Sequence, residues 1–170
     1  NAHITVKPYE NKILITNVDS SLQGIAKDLV LSNSGEAIIV KNDTLKGVML
    51  RGYKDKDYSK LKIFNNKNLL ENKRILLNDY ILIGKELSFT LNLDIGDRIT
   101  LMSSTGVETI IGNLPKQKTF VVSSIFDSGL ADFDNNIAFI NLETLEEFFD
   151  LKDTDRNLEI YLNNPQNIKY

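Results

Sequence analysis

Cysteine is absent from the 170 residues, and histidine occurs only once. Without cysteine the chain has no disulfides, no thiol nucleophile and no cysteine ligands for a metal. A Ser-His-acid triad would have to use His3, which we interpret instead as a strand or solvent-facing residue near the start of the chain. Apolar runs are short, and none has the roughly 20 residues that a membrane-spanning helix needs. These absences argue against catalysis by the chain itself, so we predict that it is not an enzyme.

Neither sign of charge dominates. Lys and Arg together number 20 and Asp and Glu 23, which gives a formal net charge of −3. This balance gives no electrostatic reason to bind nucleic acid or an anionic membrane. The apolar fraction of 42% and the charged fraction of 25% are typical of a globular domain. We therefore predict a globular domain with no nucleic-acid partner.

One set of acidic residues has part of the spacing of a calcium-binding loop. Asp132, Asp134 and Asn136 match its first three ligand positions, and Glu143 matches the twelfth. The sixth position, where such a loop needs glycine for a sharp turn, is Ile137. We interpret these side chains as solvated turn residues. No glycine-rich phosphate loop is present either, so we predict no metal and no cofactor.

Hydrophobic periodicity predicts a β-α-β unit at each end of the chain. Near the start, helical spacing over 22–30 precedes the continuous apolar run Ala37–Val40. Near the end, a strand over 136–140 leads to Asn141 as the N-cap of a short helix, and an alternating strand follows over 157–162. The middle of the chain is mostly β, and its strongest strand pattern is Thr119–Phe126.

This pattern predicts an α+β fold with two lobes. A discontinuous α/β lobe is expected from both chain ends, with residues 1–44 as its first part and 134–170 as its second part. A β-rich lobe, residues 45–133, is expected as an insertion between them. Both ends of the sequence look cut, so we expect a domain of a longer protein.

A segment of about sixteen residues, 103–118, separates two strong strand patterns in the inserted lobe. It is longer than most connections. Its apolar members are Val107, Ile110, Ile111 and Leu114, and its basic members are Lys116 and Lys118. Apolar residues in a protruding loop are costly to leave exposed. Two interpretations stay open: the loop folds back over its lobe, or it docks a partner.

The order of several short motifs resembles the extracytoplasmic domains of lipoprotein-releasing permeases of the LolC/LolE type, in the FtsX-like and MacB-like superfamily. The motifs are Ala2–Val6, the segment Ile83–Leu87 (Ile-Gly-Lys-Glu-Leu), and Gly96-Asp97 before an alternating strand. The similarity continues through Phe126 and the helix after Asn141. It therefore covers most of the chain and is looser between residues 41 and 73.

The resemblance implies the periplasmic domain of an inner-membrane ABC transporter permease. Such a permease works with a cytoplasmic LolD-type ATPase, which hydrolyses the ATP on a separate subunit, and with a second permease copy. Together they release outer-membrane lipoproteins and pass this cargo to a soluble LolA-type chaperone. In LolC-like members a hairpin loop hooks into the chaperone, whereas LolE-like members have a shorter or altered loop.

The same resemblance implies a partner-binding site in the 103–118 segment. The hook corresponds to Thr109, Ile110, Ile111, Gly112, Asn113, Leu114 and Pro115, and a supporting polar patch corresponds to Gln117 and Lys118. Thr100 stands where a LolC-like patch tends to have a basic residue, so the choice between the LolC-like and LolE-like types stays open. From the residues alone, Gly112 and Pro115 restrict the backbone, which lowers the ordering cost of binding.

Three other interpretations also stay open. A related MacB-type or FtsX-type permease, for efflux or control of a cell-wall hydrolase, would share the fold but handle other cargo. A stand-alone enzyme would need His3 or an acidic pair, and the sequence shows no nucleophile, base and orienting group together. A ligand-binding module would need a deep pocket between the lobes.

Overall fold

The computed structural model describes residues 2–9, 22, 24–41, 44–61, 78–110, 112–164 and 166. Within these ranges there are eight strands: β1 (Ile4–Val6), β2 (Ala26–Lys41), β3 (Thr44–Tyr53), β4 (Tyr80–Gly84), β5 (Arg98–Thr109), β6 (Gly112–Phe126), β7 (Ile137–Asn141) and β8 (Asn157–Leu162). The α-helices are α1 (Lys85–Leu91), α2 (Ala131–Asn136) and α3 (Leu142–Phe149), and 3-10 turns cover Asp55–Lys60 and Asp153–Asp155. This combination confirms the predicted α+β class.

All eight strands belong to one sheet, in the order β1-β8-β2-β3-β7-β4-β6-β5. Because β2 also pairs with β5, with Ile38 opposite Met102, the six strands from β2 to β5 close into a ring. Each of these strands sends apolar side chains into one buried core, including Ile39, Leu50, Ile81, Leu101, Phe120 and Ile140. A closed sheet filled in this way has a packed interior rather than a channel.

Helix α3 covers the ring beside β2 and β3. It begins as predicted, because the Asn141 side chain accepts a hydrogen bond from the Thr144 backbone N–H at 3.2 Å. The helix packs closely on β2, where a side chain at Gly35 would meet the Phe149 ring at 2.6 Å. It ends at Asp150, which has the left-handed φ of 56°. In the part of the chain described here, no helix is long and apolar enough to cross a membrane.

The predicted helix over 22–30 is wrong from Ala26 onward, because this stretch is the first part of the 16-residue strand β2. Both faces of the strand are covered here. Val30 packs in the cluster that contains Tyr53, while Leu29 and Leu31 pack against the strand β8. When both faces of a strand carry apolar residues, its sequence no longer alternates between apolar and polar residues and can resemble helical spacing.

Strands from all three predicted segments of the chain pair with one another in the single sheet. β2 and β8 come from the two terminal segments, and β3 to β6 come from residues 45–133 apart from the first residue of β3. The division into two lobes at residues 44 and 133 stays a prediction. The short helix α2 was not predicted. The sequence of Arg74–Leu77 also indicates a short strand, but these residues lie outside the described ranges.

Candidate functional site

Strands β5 and β6 extend beyond the ring as a two-stranded ribbon. Within the described residues, β5 pairs with β2 only as far as Ser103, and β6 pairs with β4 only from Val121 onward. The outer part of the ribbon pairs only with itself, from Gly106 opposite Pro115 to Thr109 opposite Gly112. Between Thr109 and Gly112 lie Ile110, which is in a turn, and Ile111, which lies outside the described residues.

The prediction of a long loop over 103–118 is therefore wrong for the described residues, which are almost all in strands. Gly112 and Pro115, which we expected to restrict the backbone, both fit a hairpin. Proline lacks a backbone N–H, so a strand tolerates it at a position where that donor would face no neighbouring strand. Gly112 follows the turn with a φ of 118°, a conformation that favours glycine. The backbone also places Thr109 and Asn113 next to the tip.

A bulge interrupts the ribbon where it leaves the ring. The strand register shifts between Met102 and Gly106. From one pair to the next, β5 advances four residues, 102 to 106, while β6 advances only two, 117 to 115. Such an irregularity bends and twists a strand pair locally. The bulge therefore sets the direction in which the ribbon projects.

The two residues predicted as a supporting patch lie on opposite faces of β6. Gln117 is exposed and opposite Met102, whereas Lys118 is partly buried and opposite Leu101 of the core. Successive strand residues point to opposite faces, so the two side chains do not form one surface. Thr100 lies on the same face as Gln117, where its hydroxyl is 3.2 Å from that of Thr119.

Both lysines of the ribbon are paired with carboxylates of this chain. Lys116 contacts the Asp150 carboxylate at the end of α3. Lys118 Nζ lies 3.0 Å from Asp79 Oδ1 and 5.8 Å from the centre of the Phe120 ring. The positive charges of both lysines are therefore locally balanced. No local pattern in the sequence predicts these pairs, because the partners are distant along the chain.

Unlike the paired lysines, the apolar residues at the tip are exposed to solvent. Ile110 is fully exposed, at 106% of its reference accessibility, and Leu114 is half-exposed at 50%. Burying apolar surface yields about 25 cal/mol per Å². A ribbon that holds apolar side chains clear of the body is suited to insert them into an apolar cavity of a partner.

The Gly96-Asp97 motif fixes the base of the ribbon to the ring. The Gly96 N–H donates to the Val122 carbonyl at 2.8 Å, and the Asp94 N–H donates to the Asp97 carboxylate at 3.1 Å. Lys41 Nζ pairs with the same carboxylate at 3.1 Å. The Asp94 N–H, with help from Lys41, holds the pKa of Asp97 below its usual range. This motif therefore has a structural role at the start of β5.

Residues considered for catalysis or metal binding have structural partners. His3 Nδ1 accepts a hydrogen bond from the Leu162 backbone N–H at 2.8 Å. The Asp134 carboxylate accepts from the backbone N–H and the hydroxyl of Ser128. Across the described ranges, no three histidine or acidic side chains gather where they could hold a metal ion.

Two solved structures share this fold. The extracellular domain of the noncanonic ABC-type transporter YknZ from Gram-positive bacteria matches with a TM-score of 0.51 at 15% identity, over 95% of this chain and 84% of that one. The periplasmic region of MacB from Actinobacillus actinomycetemcomitans also matches with a TM-score of 0.51, at 10% identity, over 93% and 67%. The chain therefore has the fold of the domains that these transporters place outside the cytoplasm.

Sequence comparison narrows this class. Proteins named lipoprotein-releasing system transmembrane protein LolC match at 36% identity over 67 residues in Xylella fastidiosa, at 24% over 137 residues in Neisseria meningitidis, and at 26% over 158 residues in Buchnera aphidicola. These matches cover 39%, 79% and 92% of the chain but only 16%, 33% and 37% of the relatives. No family model matches the chain. The chain is therefore similar to LolC proteins over most of its length, which confirms the resemblance found in the sequence.

Proposed function

We propose that this domain lies on the periplasmic face of the bacterial inner membrane and docks a LolA-type chaperone through the tip of the β5–β6 hairpin. The observation that carries the proposal is the full exposure of Ile110 at the end of a ribbon that projects from a closed, packed ring. The apolar tip would insert into an apolar cavity of the chaperone, with Leu114 and Pro115 beside it.

The ribbon is well suited to this role because it is already ordered. Its strands pair up to Thr109 and Gly112, directly beside the tip. Lys116 also ties one strand to the end of α3. Association costs free energy whenever a loop or side chain must be immobilised, so a preformed arm loses less on binding. We expect a few apolar anchors to provide most of the binding free energy.

The wider system is implied by the resemblance of the sequence and belongs to the same proposal. The intact permease would release outer-membrane lipoproteins as cargo and pass them to the chaperone. ATP would be hydrolysed on a separate LolD-type subunit, and a second permease copy would complete the membrane part. The chain spans at most 37% of the length of the relatives reported above, so these roles concern regions outside it.

The test is binding of a purified LolA-type chaperone to the domain, measured by biolayer interferometry with Ile110→Asp and Pro115→Arg. Both positions are exposed, so circular dichroism should show unchanged folding. Leu130→Asp is a matched control because Leu130 is an exposed apolar residue, at 63%, outside the hairpin. We expect both hairpin variants to lose binding and the control to keep it. Unchanged binding by the hairpin variants would remove the proposal.

A second candidate is a MacB-type or FtsX-type permease for efflux or for control of a cell-wall hydrolase. The fold shared with the MacB and YknZ domains supports this alternative. Copurification of the full-length permease separates the two candidates. Recovery of a LolA-type chaperone favours lipoprotein release, whereas recovery of a membrane-fusion protein or a hydrolase favours the alternative.

A further inference from the structure

Within the parts of the chain that the structure describes, the first half of β3 has a free edge. β3 pairs with β2 along its whole length, from Thr44 to Tyr53, but with β7 only from Met49 onward. Among the described residues, no strand lies beside 44–48 on the side away from β2. Alternate backbone N–H and C=O groups of this stretch therefore point away from the sheet. A row of such groups is a template for another extended chain.

An apolar trough lies against this edge. Its volume is about 440 Å³, within the range of ligand pockets. The trough is lined by residues 36–38 of β2, residues 47–49 of β3, and Asn136 and Ile137 where α2 meets β7. Most of these residues are apolar, and Glu36 and Asn136 are the polar members of the lining. The free backbone edge and the apolar surface thus occur together.

Gly47 keeps the trough open at the edge strand. A side chain built on Gly47 would meet no atom within 4 Å, and Gly47 lies directly opposite Ile38, which is 43% exposed. Leu45, two residues away on the same face, is 69% exposed. Lys46 is the charged residue of the stretch, and its Nζ is directed to Asn136 Oδ1 at 2.9 Å. Its hydrogen bond therefore connects the edge strand to the end of α2.

We infer that residues 44–48 of β3 are a strand-addition site for an extended segment of a partner protein that carries apolar side chains at alternate positions. The free edge dictates an extended backbone, because only a strand supplies donors and acceptors at the spacing of the sheet. Because the trough is apolar, the side chains of the bound segment that contact Ile38 and Met49 must also be apolar. Five paired residues correspond to about 17 Å of strand.

This site is separate from the hairpin tip. It uses the edge of β3, whereas the proposed chaperone contact uses Ile110, Leu114 and Pro115. The strand-addition site therefore does not depend on the proposed function. A variant at the tip leaves the trough unchanged, and a variant at Gly47 leaves the tip unchanged, so the failure of one proposal is distinguishable from the failure of the other.

The probe is the heptapeptide Lys-Val-Thr-Val-Thr-Val-Lys, titrated into isotopically labelled domain and followed by amide chemical shifts. A second peptide with proline in place of the two threonines is the control, since proline removes backbone donors. We expect saturable shifts confined to residues 36–38, 44–49 and 136–137, with a Kd below about 1 mM. The proline peptide should cause no saturable shifts.

Two variants test the location. Gly47→Glu fills the open trough with a charged side chain. Leu45→Lys places a charge on the same face and replaces Gly47→Glu in the test if that variant folds poorly. We expect either change to weaken binding of the heptapeptide by about tenfold or more. Ile110→Asp should leave the affinity for the heptapeptide unchanged. The inference is overturned if the fitted Kd of the heptapeptide exceeds about 1 mM, if the proline peptide binds equally, or if the folded trough variants bind as the original does.

Discussion

Lys116 on the hairpin forms an ion pair with Asp150 at the C-terminal end of α3. The Lys116 ammonium also donates to the Glu147 carbonyl at 3.3 Å, within the last turn of the same helix. Carbonyls at a helix C-terminus carry partial negative charge, so a cation is favoured there. The hairpin is thereby attached to a helix that itself packs on the ring.

Breaking this contact should loosen the hairpin with little effect on the fold. Pairs this exposed are worth about 0.2–1 kcal/mol, so Lys116→Met and Asp150→Asn should lower the free energy of unfolding by less than about 1 kcal/mol. Chaperone binding should weaken by about fivefold, because the arm must be ordered on binding. Lys85→Met is the matched control, since it breaks an exposed pair with Asp127 remote from the hairpin. Equal binding by Lys116→Met and the control would contradict this role.

The buried carboxylate of Glu159 should be essential for stability. It is 1% exposed and accepts hydrogen bonds from Ser32 at 2.6 Å, Arg51 at 2.7 Å, and Tyr53 and Tyr161 at 2.9 Å. Glu159→Ala leaves these donors without their acceptor and should cost about 3–5 kcal/mol. Tyr161→Phe removes one hydrogen bond to the charge and should cost about 1.5–3 kcal/mol. Urea unfolding at neutral pH measures both, and a loss below about 1 kcal/mol for Glu159→Ala would refute the prediction.

Two glycines should respond oppositely to the same substitution. A side chain at Gly84 would lie 2.0 Å from the Asp134 carbonyl oxygen, whereas one at Gly47 meets nothing within 4 Å. Gly84→Ala should therefore destabilise by about 1–3 kcal/mol or more through backbone displacement. Gly47→Ala should be neutral or slightly stabilising because alanine restricts the unfolded chain. Thermal unfolding of the two variants side by side tests the contrast, and similar Tm values would contradict it.

Asp127 should make a pH-dependent contribution to stability. Its hydrogen bond from Lys85, at 2.9 Å, and another from the Gly129 N–H hold the pKa of Asp127 below its ordinary value of 3.8. Since the folded pKa is the lower one, the contribution is present above the unfolded pKa and is lost as pH falls through the folded pKa. The stability difference between the original chain and Asp127→Asn should therefore narrow from about pH 6 to about pH 2. A constant difference across this range would disprove the assignment.

Local signals predicted the elements that depend on local interactions. The helix α3 has its cap at Asn141 and its apolar stripe within a few residues, and both were visible in the sequence. The alternating residue pattern over 157–162 predicted a strand, and the structure confirms this strand as β8. The outer part of the ribbon was predicted as a loop, because no local pattern shows how its two strands pair.

Long-range interactions decided the features that the sequence missed. β2 has partners on both sides and on both faces, which removed its alternation and suggested a helix. Closure of the ring depends on a short pairing between β2 and β5, which no local sequence pattern predicts. The contacts of Lys116 with Asp150 and of Lys118 with Asp79 depend on the same packing. The apolar tip was predicted by composition and resemblance, whereas the charge balance behind it required the fold.

The bulge at the base of the ribbon has a mechanical consequence. From Gln117 to Gly112 the ribbon extends six residues, or about 20 Å. Over that length, a rotation of about 10° at the bulge displaces Ile110 by about 3.5 Å, while the ring stays in place. The hairpin is thus a lever whose pivot is a local irregularity between Met102 and Gly106. The direction of the hairpin can therefore be changed by substitutions at those few residues, without altering the tip that we propose to bind the partner.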